Sequence, residues 1–190
     1  MEVFTITVNA TPITPYIQDY GEDGGAWQAV SSITANAGNW VNLGPQAGSG
    51  GTWSWSGPNG YHSAAQEIDG VPLTLPTNTY IATYTNPDGV TSTQTFTITI
   101  APTAITPYIE VNSGAWQETN SLTVASGSTV NLGPQPGNGG SWSWSGPGGF
   151  LSGAREIDGI PLSDGTNTYV ATYTNPAGVT SMETFTITVD

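Results

Sequence analysis

Residues 77–100, TNTYIATYTNPDGVTSTQTFTITI, decide the fold class, and residues 166–189, TNTYVATYTNPAGVTSMETFTITV, repeat the pattern. On both sides of an Asn-Pro-x-Gly sequence, apolar residues alternate with Thr, Ser or Gln. Side chains that alternate along a strand point to opposite faces of the sheet, and Pro followed by Gly favours a tight turn. Each stretch therefore predicts two antiparallel strands joined by a turn. Apolar residues at helical spacing are missing, and 25 Gly and 14 Pro interrupt the chain, so the fold is predicted to be all-β.

The sequence is an internal repeat. Trp27–Ile100 matches Trp116–Val189 at a constant offset of 89, with 48 of 74 positions identical. Upstream the offset is 92, so the first copy holds three extra residues within 19–25, and Phe4–Val8 matches the final strand of both copies. A period of this length suits a self-contained domain. The predicted division is a last strand of a preceding repeat at 1–10, a first module at 11–100, a short linker at 101–104 and a second module at 105–190.

Charge excludes several classes of partner. Fourteen Asp and Glu face a single cation, Arg155, for a net charge of −13. Binding to nucleic acid or to an anionic membrane needs clustered cations, so neither is expected. The chain has no Cys and therefore no disulfide, and neither a membrane-spanning apolar run nor a signal peptide is predicted from the sequence. The Thr- and Gly-rich composition is typical of secreted or cell-surface bacterial modules, and we expect a larger multidomain parent protein.

One segment carries a family resemblance. The sequence from Asp164 to Ala171, followed by Thr-Tyr-Thr-Asn and a Gly turn, resembles the F–G region of immunoglobulin-like domains. The resemblance implies tandem immunoglobulin-like β-sandwich modules in which Tyr80 and Tyr169 form the tyrosine corner and Ala82 and Ala171 replace the second Cys. The GPQ…WSWSGP block also resembles immunoglobulin-like repeats appended to secreted bacterial polysaccharide-degrading enzymes and surface proteins. That resemblance implies accessory carbohydrate binding or spacing.

Catalytic groups are scarce. The single His, His62, is replaced by Leu151 in the second copy, so a Ser-His-Asp arrangement and a zinc site of the usual kind are not expected. A carboxylate pair does recur, as Glu67 with Asp69 and again in the sequence EIDG of the second copy. The favoured interpretation is a pair of solvated or turn-capping carboxylates, and the protein is predicted not to be an enzyme.

Aromatic residues supply the candidate binding site. The Trp pairs of the two WSWS sequences are predicted to point into the core, because the alternative would bury Thr and Ser. Trp27 and Trp116 instead follow Gly-Ala steps after polar loops, and sugar rings stack on such exposed aromatic faces. The predicted ligand-contacting residues are Tyr16, Trp27 and Gln28 in the first module and Tyr108, Trp116 and Gln117 in the second. The alternative is a satellite cluster that packs the sandwich edge.

The first copy also holds an acidic loop and a Trp that the second copy lacks. Asp19, Glu22 and Asp23 form an acidic loop in the first copy, so a calcium ion remains an alternative, although no cofactor is predicted. Trp40, whose place Thr129 takes in the second copy, is either an edge filler or a residue that tunes ligand binding.

The favoured function is a non-catalytic tandem carbohydrate-binding module, accessory to a secreted bacterial polysaccharide-active enzyme. The alternative is a structural spacer or adhesin stalk, which would follow if Trp27 and Trp116 were both buried.

Overall fold

The computed structural model of the chain describes residues 2–5, 7–21, 24–46 and 50–190. The chain divides into two compact units, Met1–Ala101 and Pro102–Asp190. The division falls inside the segment 101–104 for which the sequence predicts a linker. In the second unit, the Thr103 carbonyl accepts a hydrogen bond from the Ser181 hydroxyl.

In the described part of the first unit, five strands form one sheet in the order β2-β7-β6-β4-β5, and β1 pairs with β3 in a second sheet. The strands are β1 (Ile17–Tyr20), β2 (Ser32–Ala35), β3 (Trp40–Leu43), β4 (Thr52–Ser56), β5 (His62–Ser63), β6 (Thr77–Thr85) and β7 (Thr91–Ile100). A short 3-10 turn, Pro58–Gly60, connects β4 to β5.

The second unit repeats this arrangement, with sheets ordered β10-β15-β14-β12-β13 and β11-β8-β9. Its strands are β8 (Tyr108–Val111), β9 (Gln117–Glu118), β10 (Ser121–Val124), β11 (Val130–Leu132), β12 (Ser141–Gly146), β13 (Phe150–Ser152), β14 (Gly165–Thr174) and β15 (Thr180–Val189). A 3-10 turn, Pro147–Gly149, links β12 to β13. Among the described residues, no helix has the length and apolar character needed to cross a bilayer.

The long hairpins are the ones that the repeated stretch predicts. β6 pairs with β7 from Thr77↔Thr99 to Thr85↔Thr91, and β14 pairs with β15 in the same register. The turn is closed by Asn86, whose side-chain oxygen accepts hydrogen bonds from the backbone N–H groups two and four residues on, at 3.1 and 2.9 Å. Gly89 adopts a φ of 82°, a left-handed conformation that favours glycine.

The core of each unit lies between its two sheets. Phe96 and Ile98 of the first unit are fully buried, as are Phe185 and Ile187 of the second. The Tyr80 hydroxyl donates to the Pro72 carbonyl at 2.6 Å, and Tyr169 makes the same bond to Pro161. These are the hydrogen bonds that a tyrosine corner requires. The chain is therefore all-β, with two immunoglobulin-like β-sandwich modules, and this prediction is confirmed.

The Trp residues of the WSWS sequences point inward. Trp55 and Trp144 are almost completely buried, and their indole N–H groups donate to the Ala65 and Ala154 carbonyls at 2.9 and 2.8 Å. The first Trp of each pair lies closer to the surface than the second. Trp55 pairs across the sheet with the small Ala82, which leaves room for the indole.

Residues 2–5 and 7–10 lie outside the strands of the described structure. Val3 and Phe4 are 85% and 84% exposed, and the Asn9 carbonyl accepts a hydrogen bond from the Asn86 side chain at 3.4 Å. The assignment of 1–10 to a preceding repeat stays a prediction.

Candidate functional site

The candidate site lies on the outer face of the smaller sheet of each unit. In the first unit, β1 and β3 pair from Ile17↔Leu43 to Tyr20↔Trp40. Ile17, Val41 and Leu43 are fully buried in the core. Because side chains alternate along a strand, Gln18, Tyr20, Trp40 and Asn42 project from the opposite face.

Trp27 reaches this outer face from the neighbouring chain segment. Gln28 exchanges two backbone hydrogen bonds with Ile17, of 2.8 and 2.9 Å, and so fixes the segment beside β1. The Trp27 indole extends over Gly44, where a Cβ atom would lie only 2.8 Å from the indole Cη2. Glycine is therefore required beneath the ring. Trp27 keeps 38% of its surface exposed.

The second unit contains the same arrangement. A Cβ atom at Gly133 would lie 2.8 Å from Cη2 of Trp116, and Trp116 is 39% exposed. Each Trp borders an open cleft, which we call the Trp27 cleft and the Trp116 cleft. The first has a volume of about 400 Å³ and is lined by Tyr16, Trp27, Gly44, Gln46 and Glu67. The second has a volume of about 490 Å³ and is lined by Tyr108, Trp116, Gly133, Gln135, Arg155 and Glu156.

The structure brings together four of the six residues that the sequence nominates. Tyr16 lies beside Trp27, and Tyr108 beside Trp116. Gln117 lines a separate depression on the other side of its strand, and Gln28 is not among the described residues that line the Trp27 cleft. The physical reason is the alternation of side chains along an extended chain, which sends each Gln to the face opposite its Trp.

The amides that do line the clefts are Gln46 and Gln135, which sequence reasoning missed. Both end the block VNLGPQ, identical in the two copies. Each lies two residues after the Gly beneath the indole, a spacing that in extended chain returns the side chain to the same face. The backbone of Gln46 pairs with Thr14 and that of Gln135 with Thr106. The identical block and this spacing were the signal that could have identified them.

A carboxylate lies in each cleft, with different neighbours. Partial burial raises the pKa of Glu67, and the charge of Asp69 and a hydrogen bond with it raise that pKa further. In the Trp116 cleft, the Arg155 guanidinium contacts Glu156 at 3.1 Å and also donates to the Pro134 carbonyl. Gln66, which replaces Arg155 in the first unit, donates to the equivalent Pro45 carbonyl at 3.0 Å. The first unit therefore keeps the hydrogen bond to this carbonyl but lacks the cation.

The first unit has a second, wider depression beside the Trp27 cleft. Its volume is about 620 Å³, and it shares Trp27 and Glu67 with that cleft. The remaining lining residues are Gln18, Tyr20, Trp40, Asn42, Asp69 and Gly70. Trp40 is 71% exposed, which does not fit the edge-filling alternative. Asn112 and Thr129 replace Tyr20 and Trp40 in the second unit, which narrows the aromatic surface there to Tyr108 and Trp116.

The acidic loop shows no metal-binding arrangement in the part that is described. Asp19 accepts a hydrogen bond from the Asn39 side chain at 2.9 Å. Glu22 and Asp23 lie outside the described residues. Among the residues that are described, no group of three or more His, Cys, Asp or Glu is placed to hold a metal ion.

The chain is similar to several solved structures, all at low sequence identity. No family model and no curated protein matches the chain. Among solved structures, the fibronectin(III)-like modules of Clostridium thermocellum CbhA share 10% identity, with 85% of this chain and 90% of that chain covered and a TM-score of 0.30. The two-domain DIP-gamma IG1+IG2 shares 13% identity over 95% and 98% of the two chains, with a TM-score of 0.35. A 1.5-MDa bacterial ice-binding adhesin shares 18% identity over 97% and 66%, with a TM-score of 0.32.

Proposed function

We propose that each unit is a non-catalytic carbohydrate-binding module and that the tandem pair serves a secreted bacterial polysaccharide-active enzyme as an accessory. The observation that carries this proposal is the equivalent placement of Trp27 and Trp116. Each indole packs on a glycine while more than a third of its surface stays open to solvent. An aromatic ring held in this way offers a fixed apolar surface on which a sugar ring can stack.

The surrounding groups suit sugar hydroxyls. Gln46 or Gln135 offers an amide donor and acceptor, and Glu67 or Glu156 offers a carboxylate acceptor. Tyr16 and Tyr108 widen the aromatic surface. An apolar surface with a few convergent polar groups is the usual composition of a small-ligand site.

The net charge of −13 favours an uncharged glycan over a strongly anionic one. Two modules on one chain would gain avidity on a repeating polymer, because binding by one raises the effective concentration of the other. The open form of both clefts supports binding without catalysis. A secreted or cell-surface location within a larger multidomain protein is part of the same proposal.

The alternative is a structural spacer or adhesin stalk with no ligand of its own. Packing of each indole on a glycine fits an edge cluster of this kind. A spacer gives no reason, however, for keeping Trp27 and Trp116 exposed to almost the same extent, 38% and 39%, at equivalent positions. A spacer would gain stability by burying the exposed surface of Trp27 and Trp116, but both indoles stay more than a third exposed.

Affinity electrophoresis against a panel of neutral plant, algal, fungal and bacterial polysaccharides tests the proposal. We expect at least one glycan to retard the native chain and the Trp27→Ala/Trp116→Ala double variant to migrate freely. Leu151→His is the matched control, because Leu151 is exposed outside both clefts and His is the residue at the equivalent position of the first unit. No retardation on the whole panel would support the spacer, whereas equal retardation of the native chain and the double variant would show that the glycan binds away from the two indoles and would overturn the proposed site.

A further inference from the structure

Three aromatic side chains line the wider depression of the first unit, which we call the Tyr20–Trp40 depression. Tyr20 and Trp40 are direct cross-strand partners, and Trp27 borders the depression from the side of its own cleft. Tyr20 is 47% exposed and Trp40 71% exposed, so neither ring is buried in the core. A Cβ atom at Gly70 would lie 3.7 Å from Cε3 of Trp40, which places this ring beside the turn that follows Asp69.

Two carboxylates lie among these rings. Glu67 and Asp69 both line the depression and share a hydrogen bond, and their mutual repulsion contributes to the raised pKa of Glu67. Residues 1–101 contain no Lys or Arg, so the first unit supplies no side-chain cation of that kind to compensate this charge. In the second unit, Arg155 contacts Glu156 at the equivalent position.

The polar floor of the depression is held in place. Asn42 donates to the side-chain oxygen of Gln18 at 3.2 Å and accepts from the backbone N–H of Gly70 at 2.8 Å. Gln18 in turn donates to the Gly25 carbonyl at 2.8 Å. The carboxylates and the rings therefore surround a floor whose amides are already hydrogen-bonded to the protein.

We propose that the Tyr20–Trp40 depression binds a protonated amine, carried by an amino sugar of the polysaccharide. An ammonium group is attracted to the faces of Trp and Tyr rings and to carboxylates, and this depression presents both. Glu67 and Asp69 would repel an anionic sugar. A neutral sugar would not reduce the repulsion between these two carboxylates. The inference rests on the proposed function, because it takes the ligand to be a polysaccharide.

The second unit provides an internal comparison. Asn112 and Thr129 stand where the first unit has Tyr20 and Trp40, and Arg155 stands where it has Gln66. The Trp116 cleft therefore keeps the stacking surface but has a fixed cation beside its carboxylate. We expect the preference for an amine to be confined to the first unit.

The test compares two soluble oligosaccharides of equal length, a glucosamine oligomer and its fully N-acetylated form. The whole chain is titrated with each and followed residue by residue by NMR, in a buffer that protonates the amine and ionises the carboxyls. We expect the glucosamine oligomer to bind the first unit about tenfold more tightly than the acetylated oligomer, a ratio that corresponds to roughly one charge-assisted contact. Glu67→Gln/Asp69→Asn should abolish the preference.

The matched control is Asp88→Asn/Asp164→Asn, which removes the same net charge away from the depression. If this control keeps the preference for the glucosamine oligomer, the result supports a local site. If both double variants lose the preference equally, net charge alone explains it and the inference is overturned. Binding of both oligomers with equal affinity would overturn it and leave the proposed function intact. Binding of neither, together with no retardation on the polysaccharide panel, would overturn both.

A transplant provides the converse experiment. Glu110→Gln/Asn112→Tyr/Thr129→Trp/Arg155→Gln gives the second unit the residues that line the depression of the first, and Gln at position 155 can keep the hydrogen bond that Gln66 makes. We expect the altered second unit to acquire the preference for the glucosamine oligomer. A folded variant that gains no preference would show that these residues do not form the site.

Discussion

The two modules have equivalent cores and differ on the outer face of their smaller sheet. Tyr80 and Tyr169, like Phe96 and Phe185, are identical and fully buried. On this outer face, the second module has polar residues where the first has aromatic ones, for example Thr129 in place of Trp40. Close packing constrains every inward side chain, whereas an outward side chain can change at little cost in stability. The comparison indicates that the core is conserved within the chain while the outer face of the smaller sheet is varied.

Within the varied face, the stacking unit itself is retained. Both indoles lie over a glycine at the same distance, and both clefts hold a Tyr, a Gln and a Glu. The groups around this unit differ. Glu118 of the second module accepts a hydrogen bond from the Tyr108 hydroxyl at 3.1 Å, and the first module has Ala29 at that position. The two clefts are thus variants of one site with separate surroundings.

The largest expected effect tests the shared core. Trp55→Ala and Trp144→Ala should each lower the free energy of unfolding of their own module by about 3–5 kcal/mol, because each removes a buried indole and its hydrogen bond. Urea unfolding followed by NMR of each module measures the two costs. Trp40→Ala, at an exposed position, is the control and should change stability little. Costs that differ severalfold between the modules would contradict the equivalence of the cores.

The next effect tests the shared stacking unit. Gly44→Ala and Gly133→Ala each place a methyl group 2.8 Å from the indole and should displace the ring. We expect the affinity of the altered module for a neutral oligosaccharide to fall about tenfold, equivalent to about 1.4 kcal/mol. Gly153→Ala is the control, because its Cβ would meet its nearest neighbour at an ordinary 3.8 Å. Unchanged affinity in both cleft variants would show that the position of the ring does not matter.

A third prediction concerns the surroundings of the second cleft. The hydrogen bond from Tyr108 to Glu118, together with the charge of that carboxylate, raises the pKa of Tyr108. Glu118→Ala should therefore return this pKa towards the ordinary value of a Tyr. Titration of the Tyr108 ring signals by NMR measures the change, with Glu183→Ala as the control. A pKa of Tyr108 that did not fall in Glu118→Ala would contradict the assigned cause.

The smallest effect concerns the charge difference. Gln66→Arg should give Glu67 the ion pair that Glu156 has, and so lower the pKa of Glu67. Because that pKa is raised on folding, the folded state holds the proton more tightly, and stability falls as the pH rises through the pKa of the folded state. Gln66→Arg should weaken this fall by less than about 1 kcal/mol, as expected for an exposed pair. NMR titration of Glu67 would contradict the prediction if the pKa stayed unchanged.

The sequence was sufficient for the fold because its signals are local and repeated. Alternation in 77–100 and 166–189 specified the long hairpins, and the Asn-Pro-x-Gly sequences specified their turns. For the site, Trp27 and Tyr16 were identified from their aromatic character and their positions in neighbouring segments. Gln28 and Gln117 do not line the clefts of their Trp neighbours, because successive residues of an extended chain face opposite ways, and their contact with a ligand stays a prediction.

The remaining features could not be predicted, because they depend on distant pairings. The contact between Trp27 and Gly44 spans 17 positions of sequence, and the Tyr20–Trp40 pair depends on the register of β1 with β3. The sequence also does not show that Gln66 and Arg155 each donate a hydrogen bond to the carbonyl of a Pro that lies 21 residues earlier. These contacts follow from the packing of the smaller sheet, which has short strands and weak sequence signals.

The most direct test of two equivalent stacking sites is calorimetric titration with a short oligosaccharide of the glycan that retards the native chain. We predict two binding sites per native chain, one in Trp27→Ala, one in Trp116→Ala and none in the double variant, with all four proteins folded. Two sites remaining in either single variant would contradict the account, because the ligand would then bind somewhere other than the exposed indoles.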